Sequence, residues 1–506
     1  MNPASALRFS RVSSFLLAFI VSLAALCTTG CGGGNTTHLP GTPLSGNTSV
    51  TVLASSTAND QLSQFDMVLN NLTLSSQSGK TVNLFAAPLH AEFIHVNGTA
   101  EPLLTVSVPQ DIYTSATASI GVSRFACINL NSSGGLEVSH FADAETPSSS
   151  VTVDLPSPIM ITGTNMGLSL DLLVSKSANF TTCDPSGIEP YSVTPTFSLT
   201  SLTFSSQPTN ATNGKLAGLT GQIGAVDAAR GNCAVVAADG PSCVVVAGAS
   251  CPPDSANGPS WQIMSDASTV YKGIAGVSDL ASGMPADMDV VIQGNGSLLA
   301  TRVAVEQTNI ANLTVSSGPL LFVSEAWPSL NAYGREGWGP LLTGGADPFS
   351  FGNAVFQISD QFTNLKSLPF SASFNAATMV AGQNVVVSTH ALNYLAAPTY
   401  APAATMSLIP QTVNGKISAV SSDGSFATYT VVLAAYDLFP NLAVQGGQTT
   451  LLKDPGTVVV YADSNTQMLN TDSLGVGSSL RFNGLIFNDN GTLRMDCAQI
   501  NDGVIE

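Results

Sequence analysis

Short runs of Val, Ile, Leu, Thr and Phe alternate with turn residues along most of the chain. Residues 49–53, 151–155, 290–293, 385–389 and 458–461 are examples, all rich in β-branched side chains. Between such runs fall Asn97-Gly98, Asn213-Gly214, Asn295-Gly296, Asp423-Gly424 and Asn490-Gly491, pairs that favour tight hairpins. Apolar residues at helical spacing are scarce, and the best stretches, 57–64 and 278–284, are brief. The pattern predicts an all-β chain, and 506 residues suggest several domains.

Residues 50–200 read as a β-sandwich. Within them 65–74 has a strand pattern, Ser75 to Gly79 form a turn, and 81–85 return. Further on, Val108-Pro109-Gln110-Asp111-Ile112-Tyr113 leads into a strand running to Ile120. Pro109 is expected to set that turn, and Tyr113 to close the sandwich edge with a hydrogen bond from its hydroxyl. This order resembles the N-terminal β-sandwich domain of unknown function of many bacterial lipoproteins, with Asp111 standing where that family has Gly. The resemblance implies a fold and no activity.

The rest of the chain repeats itself. Thr220-Gly221-Gln222-Ile223-Gly224-Ala225-Val226 matches Asn414-Gly415-Lys416-Ile417-Ser418-Ala419-Val420, with Ser317-Gly318-Pro319-Leu320-Leu321 midway. Gly221, Gly318 and Gly415 are therefore 97 residues apart. A second block follows each start, at 284–298, 381–387 and 476–493. The expected architecture is an N-terminal β-sandwich followed by two or three repeated small β-barrels, at 215–312, 313–410 and 411–506, the middle copy being degenerate. The blocks resemble a small β-barrel domain of unknown function that recurs in tandem in bacterial exported proteins. That resemblance implies a barrel similar in outline to oligonucleotide- and sugar-binding folds, with binding placed in its long variable centres.

Charge narrows the function classes. Only 9% of residues are charged, against roughly 25% in ordinary soluble domains. Lys plus Arg number 15 and Asp plus Glu 33, so the net charge is -18. With 44% hydrophobic residues the chain is not disordered. Sparse Lys and Arg argue against nucleic acid as a partner.

The N-terminus reads as an address. Arg8 and Arg11 precede an apolar segment over 15–26, too short to span a bilayer. Thr28-Thr29-Gly30-Cys31 follows and resembles the lipobox of bacterial lipoproteins, although Thr28 stands where the family usually has Leu. The resemblance implies a signal peptide over 1–30, a lipid on Cys31 and a membrane partner through that lipid. By resemblance to lipoprotein sorting in two-membrane bacteria, Gly32 after the cysteine, where an Asp would signal inner-membrane retention, implies the outer membrane. Cleavage before Cys31 removes two Arg and no acid, taking the charge from -18 to -20. Residues 31–49 then form a flexible Gly-, Thr-, Ser- and Asn-rich tether.

Beyond Cys31 there are six cysteines, Cys127, Cys183, Cys233, Cys243, Cys251 and Cys497. In an oxidising compartment they read as disulfides. The favoured pairs are Cys127 with Cys183 and Cys233 with Cys243, leaving Cys251 with Cys497. With no Cys-x-x-Cys pair and no nearby His, structural zinc is not expected.

No catalytic signature of the common nucleophile, zinc-protease, phosphate-loop or dinucleotide type occurs. His90, His95, His140, Asp143 and Glu145 match no ligand spacing and read as solvated loop residues. Asp287 with Asp289, and Asp472 near Asp463, suggest acid pairs at turns but lack the density of a calcium loop. No metal or cofactor is expected. The sharpest local feature spans Trp327 to Trp338, with Tyr333, Arg335 and Glu336 between them. Gly and Pro mark it as a loop whose aromatics either stack on a glycan or cover the base of the degenerate barrel. The leading expectation is a non-enzymatic exported lipoprotein with an envelope-structural, adhesive or ligand-presenting role. A glycan-binding surface module using Trp327, Tyr333, Arg335 and Trp338 and a secreted hydrolase are the alternatives, and the partner is a glycan or a protein.

Overall fold

The computed structural model describes residues 44–57, 62–130, 136–142, 149–177, 194–204, 214–237, 258–305, 307–311, 313–324, 329–338, 346–359, 367–390, 400–435, 437–445, 451–469, 471 and 474–502. The chain separates into Met1–Leu44 and a compact body, Ser45–Glu506. Residues 1–43, which include the expected signal segment, Cys31 and most of the expected tether, lie outside the described residues.

The body is all-β and consists of four sheets in succession along the chain. The first is 11-stranded and forms the sandwich. Its spine is the antiparallel pair Leu62–Ser76 and Asp111–Leu130. Phe65, Met67 and Leu69, and then Leu72 and Leu74, are all fully buried, so each run presents every second side chain to the core. The break in alternation between them coincides with register shifts at Met67/Leu69 and Leu69/Asn71. Asn47–Ser56 lies between Asn165–Leu172, parallel, and Glu101–Pro109, antiparallel. Tyr113 is fully buried and its hydroxyl donates to Pro109 O at 2.8 Å, as the turn sequence implied.

Three barrels follow, and they share one topology. In the first, Lys215–Asp227, Asn232–Ala237, Ser260–Met264, Leu298–Ala304 and Pro285–Ile292 close in that order into a ring. Thr314–Ser324, Ser329–Tyr333, Ala346–Ser350, Ala401–Leu408 and Asn384–Thr389 form the second. Gln411–Asp423, Phe426–Leu433, Thr457–Ala462, Thr492–Asp502 and Ser479–Asp489 form the third. In each ring the third and last strands in sequence pair in parallel. In each, the last strand also carries a short parallel addition, Val270–Lys272, Val355–Ile358 or Gln467–Leu469. The middle copy thus keeps the topology that its sequence obscures. Closure removes exposed sheet edges and gives each ring its own core.

The repeated glycine has a steric cause. A Cβ at Gly221 would strike Val236 O, and one at Gly415 would strike Val431 and Val432 O on the adjoining second strand. The first strand of each of these rings can approach its neighbour that closely only without a side chain. The Asn490-Gly491 hairpin is also as expected. Asp489 pairs with Thr492, and both turn residues have positive φ, 52° and 84°.

Helix is minor. Residues 62–64, the end of one helical candidate, belong to the long strand Leu62–Ser76, and 58–61 lie outside the described residues. The other candidate is only a 3-10 turn, Val277–Asp279. Leu438–Gln445 is helical with Pro440 near its start, where a missing N–H costs nothing. No helix among the described residues is long and apolar enough to cross a membrane.

Polar side chains join the four units. Trp261 of the first barrel donates from Nε1 to Pro102 O of the sandwich at 2.7 Å. Tyr333 of the second donates to Gln64 Oε1 at 2.7 Å. Arg481 of the third donates to Ser56 O at 3.0 Å and to Asn97 Oδ1 at 3.3 Å. Between barrels, Ser359 donates to Asp287 at 2.8 Å and Gln383 to Ile486 O at 2.8 Å.

Cys233 and Cys497 are buried free thiols, unbridged in this structure, within the first and third barrels. Cys183, Cys243 and Cys251, like the side chain of Cys127, lie outside the described residues. Burial pushes the Cys233 thiol up to about 11 and the Cys497 thiol higher still. At pH 8 a thiol of pKa 11 is ionised to about one part in a thousand. Alkylation of the native chain at that pH, read by peptide mass mapping, should therefore leave Cys233 and Cys497 unmodified, and denaturant should expose both. Rapid native modification of either, or a bridge at either, would contradict this packing.

Candidate functional site

One cavity, of about 130 Å³, lies where the four units meet. The sandwich lines it with His95 and Glu101, the first barrel with Thr220, the second with Glu336, and the third with Gln411 and Asn483. Its polar character comes from a cluster on the sandwich side.

Glu92 ends the strand Leu89–Glu92, and Glu101 begins the strand Glu101–Pro109. The intervening segment turns through Asn97 N–H to Ile94 O and Thr99 N–H to Val96 O, at 3.2 and 3.1 Å. This reversal brings both carboxylates to His95. His95 Nδ1 lies 3.1 Å from Glu92 Oε2, and Nε2 lies 3.0 Å from Glu101 Oε2. Glu336 arrives from the second barrel, on the short strand Glu336–Trp338 paired with Thr314–Ser324. Its Oε1 stands 2.8 Å from the same Nδ1, outside hydrogen-bond geometry. Glu92, Glu101 and Glu336 are buried, while His95 retains 21% side-chain exposure.

The three acids differ electrostatically. Glu92 accepts backbone N–H groups from Phe65, Ile94 and His95 at 2.8, 3.0 and 2.8 Å. Burial works against its charge, but the bond and charge of His95, the charge of Arg335 and the Phe65 N–H hold its pKa below the ordinary value. Glu101 shifts the other way. Burial raises it, the charges of Glu336 and Glu92 add to the rise, and the contact with His95 does not reverse it. The site therefore keeps one carboxylate firmly ionised beside one that holds its proton more readily. An imidazole with carboxylate oxygens at both nitrogens suits a charged or metal-bound role better than that of a free base.

A second buried cluster lies at the rim. Arg302 donates from Nε to Asp289 Oδ2 at 2.7 Å and from Nη2 to Asp287 Oδ2 at 3.0 Å. Gly218 N–H donates to Asp289 Oδ1 at 3.0 Å. Burial opposes the guanidinium charge, but Asp287 and Asp289 outweigh it and hold Arg302 above its ordinary pKa. Asp287 also reaches the cavity and accepts the Ser359 hydroxyl of the second barrel. The cluster thus ties two barrels together through one carboxylate.

Several residues stand elsewhere than their sequence suggests. Neither His90 nor His95 is freely solvated, although His95 does lie on the turn that follows Leu89–Glu92. His90 lies buried on the strand Leu89–Glu92, 2.9 Å from Asp66, and His95 sits in the carboxylate cluster. Asp287 and Asp289 are not at a turn but on Pro285–Ile292, two apart and so on one face towards Arg302. Asp463 does cap a turn, accepting the Asn465 N–H at 2.7 Å. The stretch after Trp327 is not an open loop. Ser329–Tyr333 and Glu336–Trp338 are strands, Tyr333 is fully buried, and Arg335 donates to Ser63 O at 2.6 Å. Tyr333 offers no free ring face to a sugar. Trp327, the Trp338 side chain, the His140 side chain, Asp143, Glu145 and Asp472 lie outside the described residues.

Glu92 and Glu101 carried no motif in the sequence. The available signal was two acids flanking His95 across an Asn-Gly turn, and it becomes meaningful only once Glu336 joins from far along the chain. Compared with known proteins, the chain matches no family model and no curated sequence.

Replacing Arg302 by Met should destabilise the body by about 3–5 kcal/mol, because it strands two buried carboxylates. Urea unfolding followed by tryptophan fluorescence measures this, and an unchanged midpoint would show that the triad carries no structural charge.

Proposed function

We propose that the chain is an exported, lipid-anchored protein of the cell envelope that presents a ligand site on a rigid, non-catalytic β-platform. The observation that carries this reading is the convergence of all four units on one polar cavity. Beads on a string would leave such surfaces wet. Here buried side chains of each barrel bond to the sandwich or to another barrel, so the site is held between units and not on a loop. His95 is engaged by carboxylates at both nitrogens, which favours binding over proton abstraction. The low-charge surface of hydroxyls and amides suits an exported, turn-rich β-protein.

The anchor rests on Arg8, Arg11, the apolar stretch 15–26 and Cys31. The residues from Cys31 up to the strand Asn47–Ser56 would then act as the tether between lipid and platform, three residues shorter than the sequence suggested because Asn47, Thr48 and Ser49 belong to that strand. One acyl chain binds a membrane only marginally, so a stable anchor at Cys31 would need a second chain or a second membrane contact.

The test is metabolic labelling of cells expressing the full chain with an alkyne analogue of palmitate. The label should follow the native chain into the membrane fraction. Cys31→Ala should carry no label and should leave that fraction. A labelled Cys31→Ala chain, or an unlabelled native one, would contradict the anchor.

A further inference from the structure

We propose that Glu92, His95 and Glu336 form a binding site for one divalent first-row transition-metal ion, with Glu101 orienting the imidazole. The inference does not depend on the lipid anchor.

Around His95 the hydrogens and their acceptors do not match in number. His95 Nδ1 carries at most one hydrogen, yet two carboxylate oxygens face it, Glu92 Oε2 at 3.1 Å and Glu336 Oε1 at 2.8 Å. Only the first is placed to accept that hydrogen. Glu336 Oε1 has no hydrogen-bond partner, although the side chain is only 9% exposed and lines the cavity. A buried carboxylate oxygen left without a hydrogen bond costs stability unless a cation meets it.

A metal ion resolves the mismatch. One ligand atom from each of Glu92, His95 and Glu336 lies within 4.8 Å of the others. Metal bonds of about 2.0–2.2 Å to nitrogen and oxygen place neighbouring ligand atoms on the order of 3 Å apart, so small side-chain shifts suffice. Binding breaks the Nδ1–H bond and forms a metal–Nδ1 bond, and the proton leaves to solvent. Nε2 keeps its hydrogen and donates it to Glu101 Oε2, 3.0 Å away. That carboxylate–histidine–metal arrangement fixes the tautomer and the ring orientation of a metal-bound histidine. Two carboxylates neutralise a dication. The imidazole favours Fe, Co, Ni, Cu(II) or Zn over Mg or Ca, with Mn the weakest of the first-row dications, and the absence of a thiolate from the trio disfavours Cu(I). The cavity leaves the remaining coordination positions to water or to a small oxygen ligand. Because Glu336 belongs to the second barrel and the other ligands to the sandwich, the ion would also clamp two units together.

The experiment uses the full chain stripped with chelator and titrated calorimetrically with Zn²⁺, Mn²⁺, Mg²⁺ or Ca²⁺, with thermal melting beside it. One equivalent of a transition metal should bind and raise Tm, and Mg²⁺ and Ca²⁺ should not compete. Glu336→Gln, which keeps the side-chain volume, and His95→Gln should each lose binding by at least about 100-fold with unchanged circular dichroism. Glu101→Gln should weaken it by about 10–100-fold. Cobalt substitution separates this site from the cysteines, because nitrogen and oxygen ligands give no thiolate charge-transfer band. Failure of the folded native chain to bind any transition metal overturns the proposal. So does undiminished binding in folded Glu336→Gln, or a thiolate band. Should Glu336→Gln or His95→Gln misfold, the cobalt spectrum of the native chain still decides between imidazole–carboxylate ligation and its absence.

Discussion

Buried polar groups must find partners, and in this body many find them in a different unit. Trp261 reaches the sandwich carbonyl of Pro102, Tyr333 reaches Gln64, and Arg481 reaches Ser56 and Asn97. Each contact spans more than 150 residues of sequence. An indole N–H or a guanidinium left without its acceptor inside the body would cost more than a surface contact gains. The penalty for leaving this mutual register therefore adds to the apolar contacts between units, such as the buried cluster of Ala126, Ile128, Leu321 and Leu442.

The same constraint shapes the cavity. Closed five-stranded rings have no free edges, so they meet neighbours through side chains and strand ends, not through continued sheet. Such surfaces do not tile perfectly, and the space left between them is bordered by the polar groups that join the units. Glu336, at the start of a short strand added to its ring, is carried into the sandwich's His95 and Glu92 by this geometry. Acids gathered there repel one another, and the response is visible in the opposite shifts of Glu92 and Glu101. Asp287 does for the first and second barrels what Glu336 does for the second and the sandwich.

Much of the fold was legible in the sequence because it is local or periodic. The spacing of Gly221, Gly318 and Gly415 reports a close strand approach in each ring, and the topology is common to all three. Asn490-Gly491 forms its hairpin, and Tyr113 closes its edge, because both depend on near neighbours. The helix Leu438–Gln445 was hidden by Pro440, which reads as a breaker unless its place in the first turn is known. The site was hidden for a different reason. Glu336 and His95 are 241 positions apart, and no spacing rule connects them. Tyr333 and Arg335 left two readings open, glycan stacking or covering the barrel, because aromatic, Gly and Pro content reports turns and rings, not which unit will cover them. Asp287 and Asp289 looked like turn acids because their partner, Arg302, lies on the next strand of the same barrel.

Interlocking through buried polar contacts has a thermodynamic signature. Units coupled at several times the thermal energy melt together, whereas independent domains melt one by one. Differential scanning calorimetry of the full chain tests this most directly. Interlocked units should melt in one transition whose calorimetric enthalpy equals its van't Hoff enthalpy. Separate transitions for the sandwich and the barrels, with a calorimetric enthalpy several times the van't Hoff value, would contradict it.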